Sequence, residues 1–197
     1  MKILLTVCDG KFLPENPFKA LNNDDARGIK TFRENPGKFS LALDNYNLQD
    51  VEKIYKKWLK NRADTEENFI DFANNLDWRV NQELTAEYQS NFDDVYFYLF
   101  SEWSPIENLR ACHDSDLPYV FDKIDGLPNS SPQLVKIIQK SWAAFATTGN
   151  QNNEFIPHWK KYSAENRQTL EINSGKVILH KDFNTENLNS LRYIYEN

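Results

Sequence analysis

The chain has 197 residues, enough to bury a sizeable core within one domain. Hydrophobic residues make up 40% and aromatic residues 14%, too much apolar mass for a disordered chain. A net charge of −6 excludes nucleic acid as the main partner, and no apolar run approaches the ~20 residues of a membrane span.

Residues 1–44 read as an irregular, turn-rich stretch, punctuated by Asp9-Gly10, Pro14, Pro17, Gly28 and Asn35-Pro36-Gly37. The apolar run before Asp9 is too short for a secretory signal. Cys8 and Cys112 stand far apart and belong to no motif, which fits a reducing cytoplasm. Both are expected to serve as buried apolar packing.

Residues 45–92 are expected to be helical. Val51, Ile54, Tyr55, Trp58 and Leu59 recur at helical spacing, with Asn47 or Asp50 as the cap. A second helix follows Asp64-Thr65, with Phe69, Ile70, Ala73, Leu76 and Val80 on its inner side. It continues or restarts through Leu84 and Tyr88. The run VYFYLF at 95–100 has the aromatic and β-branched character of a strand buried on both faces, as in a parallel sheet. Pro105 ends it, and no parallel neighbour is evident. A polar loop with His113 comes next. Ser131-Pro132 opens the clearest helix, carrying Leu134, Ile137, Ile138, Ser141, Trp142 and Phe145, and Gly149 stops it. Residues 169–172 and 176–180 flank Asn173-Ser174-Gly175 as a hairpin. Leu188, Leu191 and Ile194 mark a last short helix. All 197 residues are read as one domain, in which 93–197 hold the histidine loop, the long helix and the hairpin.

The six glycines include no Gly-x-Ser-x-Gly, no dinucleotide fingerprint and no phosphate loop. No cofactor is implied. His113, Asp114 and Asp116 match no metal-site spacing, and His158 and His180 are far off in sequence, so no metal is expected. Cys112 and His113 are no catalytic pair, because neighbouring side chains in an extended segment point apart. Trp159 and Tyr162 are read as packing.

Four stretches taken in order are more specific. They are CDGKFLPENPFKAL at 8–21, VYFYLFSEWS at 95–104, ACHDSDLPYVF at 111–121, and SWAAFATTGNQN at 141–152 followed by Pro157, Trp159, Tyr162 and Arg167. Their order and spacing resemble the C-terminal part of the type-B carboxylesterases, the para-nitrobenzyl-esterase and cholinesterase group of α/β-hydrolases. The fold this resemblance implies is α/β: a C-terminal fragment of the α/β-hydrolase fold, mostly helical, with a few strands of an incomplete sheet.

The resemblance also implies a serine hydrolase of carboxylic esters. In such an enzyme a serine attacks the ester carbonyl, a histidine takes its proton and a carboxylate orients the imidazole. By position His113 is the general base, and an imidazole with an ordinary pKa near ~6.5 suits a proton shuttle at neutral pH. The family's Gly-Thr-x-x-Asp-Glu pattern for the acid is absent from GIKTFRENPGKF at 28–39. Glu34 is the nearest carboxylate there, ahead of Asp24 and Asp25. The nucleophile is not among these residues. The chain is therefore expected to be inactive alone and to supply the base to a complete enzyme acting on a small ester. Two alternatives stand beside this: a non-catalytic interaction module, and one half of a two-chain esterase completed by an N-terminal half. Either self-association or a rearrangement of residues 1–44 to cover the gap is a further expectation, because an incomplete sheet leaves apolar area uncovered.

Overall fold

The computed structural model describes residues 46–104, 111, 112, 114–183 and 185–196. These fall into two compact units, one made by residues 86–183 and the other by 46–85 with 185–196.

The second of these is helical. Helix α1, Leu48–Leu59, begins where the Asn47 side chain accepts the Asp50 N–H at 3.0 Å. Its buried face is Val51, Ile54, Tyr55, Trp58 and Leu59, the i, i+3, i+4, i+7, i+8 stripe of an amphipathic helix. Helix α2, Glu66–Asn74, is capped by the Thr65 hydroxyl, which accepts the Asn68 N–H at 3.2 Å. The chain then neither stops nor restarts. A π-helical turn, Asn75–Arg79, carries it into helix α3, Val80–Ser90. Asn75, at the start of this turn, is buried and donates its side-chain amide to the Asp71 carbonyl at 2.6 Å. Ile70, expected inside, is 46% exposed. The buried stripe runs Phe69, Phe72, Leu76, and a residue one step from Phe69 lies ~100° around the helix. The last helix of this unit, Thr185–Glu196, adds Leu188, Leu191 and Ile194 to the same core.

The other unit carries the sheet. Strand β1, Phe97–Phe100, pairs in parallel with β2, Thr169–Asn173, and β2 pairs antiparallel with β3, Lys176–His180. The parallel neighbour that is not evident in the sequence is thus the first strand of the expected hairpin. Among the described residues β1 lies at the edge and β2 in the middle. Leu170 and Ile172 are accordingly fully buried.

Alternation along β1 explains its burial on both faces. Tyr96, Tyr98 and Phe100 face one core with Leu134, Ile137, Ile138, Trp142, Trp159, Leu170 and Ile172. Val95 and Phe97 face Ala86 and Tyr162 on the other side. Two helices of this unit pack against each other and add Tyr119, Leu134, Ile137 and Ile138 to the core around Leu170 and Ile172. Helix α4, Leu117–Val120, is one turn long. Helix α5, Pro132–Thr148, has the Ser131 cap, the proline at its first position and Gly149 in the left-handed region at φ 70°. The C-terminal helix Thr185–Glu196 is α6. Among the described residues no helix is long and apolar enough to cross a membrane.

Candidate active site

His113 and Glu34 both lie outside the described residues, as do Cys8, Asp24 and Asp25. What the structure gives is the frame on either side of position 113. Strand β1 delivers the chain at its C-terminal end through residues 101–104, and the loop re-enters at Ala111 and Cys112. The carboxyl ends of parallel strands are where open α/β sheets place their binding crevices, so the loop leaves the sheet on the side suited to chemistry.

Beyond position 113 the backbone turns tightly. Asp114 adopts φ 63°, in the left-handed region. The Ser115 N–H donates to the Cys112 carbonyl at 3.2 Å and the Leu117 N–H to the Asp114 carbonyl at 3.1 Å. Helix α4 then starts, with the Tyr119 and Val120 N–H groups both donating to the Asp116 carbonyl at 3.0 Å. Three contacts anchor it to the rest of the unit. Tyr98 donates its hydroxyl to Asp116 Oδ2 at 3.2 Å. Phe100 and Tyr119 are in ring contact at 5.5 Å. Gln139 on α5 donates to the Val120 carbonyl at 3.2 Å. Burial, and then the charge of Glu102, push the Tyr119 hydroxyl above the usual tyrosine range. It therefore stays protonated under any neutral condition.

Cys112 is exposed, contrary to the buried role expected for it. It sits in a polar stretch beside Asp114. Partial screening of the thiol from water, with Asp114 adding, nevertheless holds its pKa above the ordinary value. It is no activated thiolate. Trp159 and Tyr162 are buried packing residues, as read from the sequence. The asparagines around them act as backbone clamps: Asn152 accepts the Trp159 N–H at 2.6 Å and donates to the Trp159 carbonyl at 3.1 Å.

A second polar cluster escapes sequence reasoning. Glu171, in the central strand, is 7% exposed. Its Oε1 accepts the Ser101 hydroxyl at 2.8 Å. Its Oε2 receives Lys176 Nζ and His180 Nε2, each at 2.9 Å. The register puts Ile178 opposite Glu171, so Lys176 and His180 are its two diagonal neighbours on β3. Burial alone would raise the Glu171 pKa. Hydrogen bonds from Lys176, Ser101 and His180, with the lysine charge, more than offset it and hold the carboxyl below its usual range. The signal present in the sequence is a glutamate inside an apolar strand, followed by Lys176 and His180 at matching parity in the next one.

Serine, glutamate and histidine occur together here, but not as a hydrolytic relay. That chemistry places the imidazole between hydroxyl and carboxylate. Here the carboxylate stands in the middle and takes both groups, so the histidine cannot accept the serine proton. Among the described residues no group of three or more His, Cys, Asp or Glu side chains is placed to hold a metal ion.

Comparison with known proteins agrees with the fold. A family model described as the carboxylesterase family matches residues 37–191. The para-nitrobenzyl esterase of Bacillus subtilis (strain 168) is 28% identical over 194 residues, which cover 86% of this chain and 39% of that protein. The human cocaine esterase is 35% identical over 104 residues, 47% of this chain and 18% of that one. A solved structure of a PNB esterase superposes with a TM-score of 0.65 at 24% identity, covering 86% of this chain and 34% of that chain. A second PNB esterase structure gives 0.62 at 26% identity, covering 81% and 33%. The match with the Bacillus protein therefore spans about two fifths of that relative's length.

Proposed function

This chain belongs to the carboxylesterase family, and from that premise we propose that it is the base-bearing, C-terminal portion of a serine hydrolase of carboxylic esters. In this reading His113 is the general base of the complete enzyme and Glu34 is the carboxylate that orients it. The single observation that carries the reading is the family match over the very stretch that holds β1, the histidine loop and α5. The substrate is a small carboxylic ester, the class of compound on which the matched esterases act by name.

The 197 residues contain no serine on a Gly-x-Ser-x-Gly turn. The attacking hydroxyl and the donors for the tetrahedral oxyanion must therefore come from another polypeptide segment. Those two elements supply the larger share of such catalysis. His113 supplies proton transfer, a factor of ~10² to 10⁴ when the rest is in place. The chain alone is accordingly expected to be inert toward para-nitrophenyl acetate, and His113→Ala to make no difference to it. Hydrolysis by the purified chain that disappears in His113→Ala would overturn the assignment of the nucleophile to another segment.

One observation favours a second reading, a non-catalytic interaction module. Tyr88 and Phe92 are each 70% exposed and touch each other at 5.2 Å between ring centres, an apolar pair presented to solvent. Light scattering separates the two readings. A persistent monomer at high concentration speaks against the module.

A further inference from the structure

The four residues after β1 are the described chain that leads toward the histidine loop, and their first two members are tied to the β2–β3 hairpin. The Ser101 N–H continues the ladder by donating to the Ile172 carbonyl at 3.0 Å. The Ser101 hydroxyl donates to Glu171 Oε1 and accepts Asn173 Nδ2, both at 2.8 Å. Glu102 Oε2 accepts the Ser174 N–H at 2.6 Å. With its one proton committed to Glu171 and a lone pair to Asn173, the Ser101 hydroxyl has a fixed sense.

We propose that ionised Glu171 is a positioning residue for the end of β1, holding Ser101 and the chain beyond it, and that it releases this grip when it takes up a proton. The functional meaning rests on the reading of the loop beyond as an active-site loop. A carboxylate is acceptor-only, and here it serves three donors at once. Protonation turns one of its two oxygens into a donor. The protonated oxygen is a much weaker acceptor, so either the bond from the Ser101 hydroxyl at Oε1 or those from Lys176 and His180 at Oε2 are weakened. In both cases the cluster must rearrange, and Ser101 is the member attached to the site. Among the described residues, the groups facing Glu171 are Lys176 and His180 from β3 and Ser101 from the end of β1. Glu102 is the adjacent titratable group and has its own partner in the Ser174 N–H.

Trp103, 71% exposed and two residues past Ser101, is a built-in reporter. The test follows the Trp103 indole N–H and the Glu102 amide by ¹H–¹⁵N spectroscopy on the full chain from pH 7 to pH 3, with Trp103→Phe giving the indole assignment. The wild type is expected to shift both signals in one step, with a midpoint on the acid side of the ordinary carboxylate range. Glu171→Gln is expected to show the shifted positions already at pH 7 and to lose the titration, while Glu102→Gln keeps it. Lys176→Met, a change at a half-exposed position, is expected to move the midpoint to higher pH by roughly half to one unit, because a cation is withdrawn from the carboxylate. The proposal is overturned by signals at their wild-type positions in Glu171→Gln at pH 7. It is also overturned by a titration that only Glu102→Gln abolishes, or by a midpoint that Lys176→Met leaves in place. No ester is hydrolysed in this experiment. Failure here leaves the hydrolase reading standing, and failure of that reading leaves this result standing.

Discussion

Tyr98, in the middle of β1, donates its hydroxyl to Asp116, the residue that opens α4, at 3.2 Å. One bond thus connects the sheet with the far flank of the histidine loop, 18 residues on in sequence. The ring itself is held by Trp142 at 5.0 Å and Trp159 at 6.2 Å. The strand therefore offers a ring-packed donor to the residue that opens α4.

Tyr98→Phe keeps the ring packing and removes only that donor. A hydrogen bond to a charged acceptor contributes ~1.5–3 kcal/mol, and this one, being only partly buried, belongs near the lower end. The loss should concentrate in residues 114–120, read as faster amide exchange there than in α5. Uniformly faster exchange across the unit would contradict a local anchoring role.

The core beneath β1 should respond as a packed interior. Leu170 and Ile172 are both fully buried in the central strand. Leu170→Ala is expected to cost ~3 kcal/mol and Ile172→Val ~1 kcal/mol in urea unfolding. Equal costs would mean that the core relaxes around either change.

Arg167 and Glu87 form an ion pair at 3.1 Å in which each side chain is 15% exposed. Between the small worth of surface pairs and the large cost of breaking a buried one, Arg167→Met should destabilise by ~2 kcal/mol. Combining it with Glu87→Gln should cost less than the sum of the two, because both changes remove the same shared ion pair. Strict additivity in the unfolding cycle would show that the two do not interact.

The Tyr195 hydroxyl donates to the Leu76 carbonyl at 2.6 Å, and burial, then the charge of Asp77, pushes its pKa up. A raised folded-state pKa stabilises fully below the unfolded value of about 10 and is lost as pH rises through the folded one. The helical unit should therefore weaken above about pH 10. Tyr195→Phe should flatten that alkaline limb while lowering stability at neutral pH. An unchanged limb would assign it to another tyrosine.

Cys112 is exposed, yet its thiol pKa is raised by partial desolvation and by Asp114. With Cys8 replaced by serine, alkylation by iodoacetamide should be slower at pH 7 than that of free cysteine. Its rate should keep climbing beyond about pH 9, since only the thiolate reacts. A rate that levels off below about pH 8 would contradict this environment.

Much of the fold is legible in the sequence because single residues announce it. Ser131, Pro132 and Gly149 bound α5 by capping chemistry that acts over one turn, and Asn47 does the same for α1. The β1–β2 pairing is not legible. Its partners, such as Tyr98 and Leu170, are brought together by tertiary packing that leaves no local mark. Ile70 misleads because it neighbours Phe69 in sequence while lying ~100° away on the helix. The histidine loop is recognisable through its motif. The Glu171 cluster is not, since a buried carboxylate becomes sensible only once Ser101, Lys176 and His180 are seen to converge on it.

The central claim is that His113 serves as the base of an ester hydrolase completed by another segment. The most direct measurement is para-nitrophenyl acetate hydrolysis by this chain mixed with a polypeptide carrying the serine-bearing remainder of a matched esterase. Hydrolysis is expected only in the mixture, and to fall at least ~10²-fold with His113→Ala. Equal rates from the wild-type and His113→Ala mixtures would contradict the account.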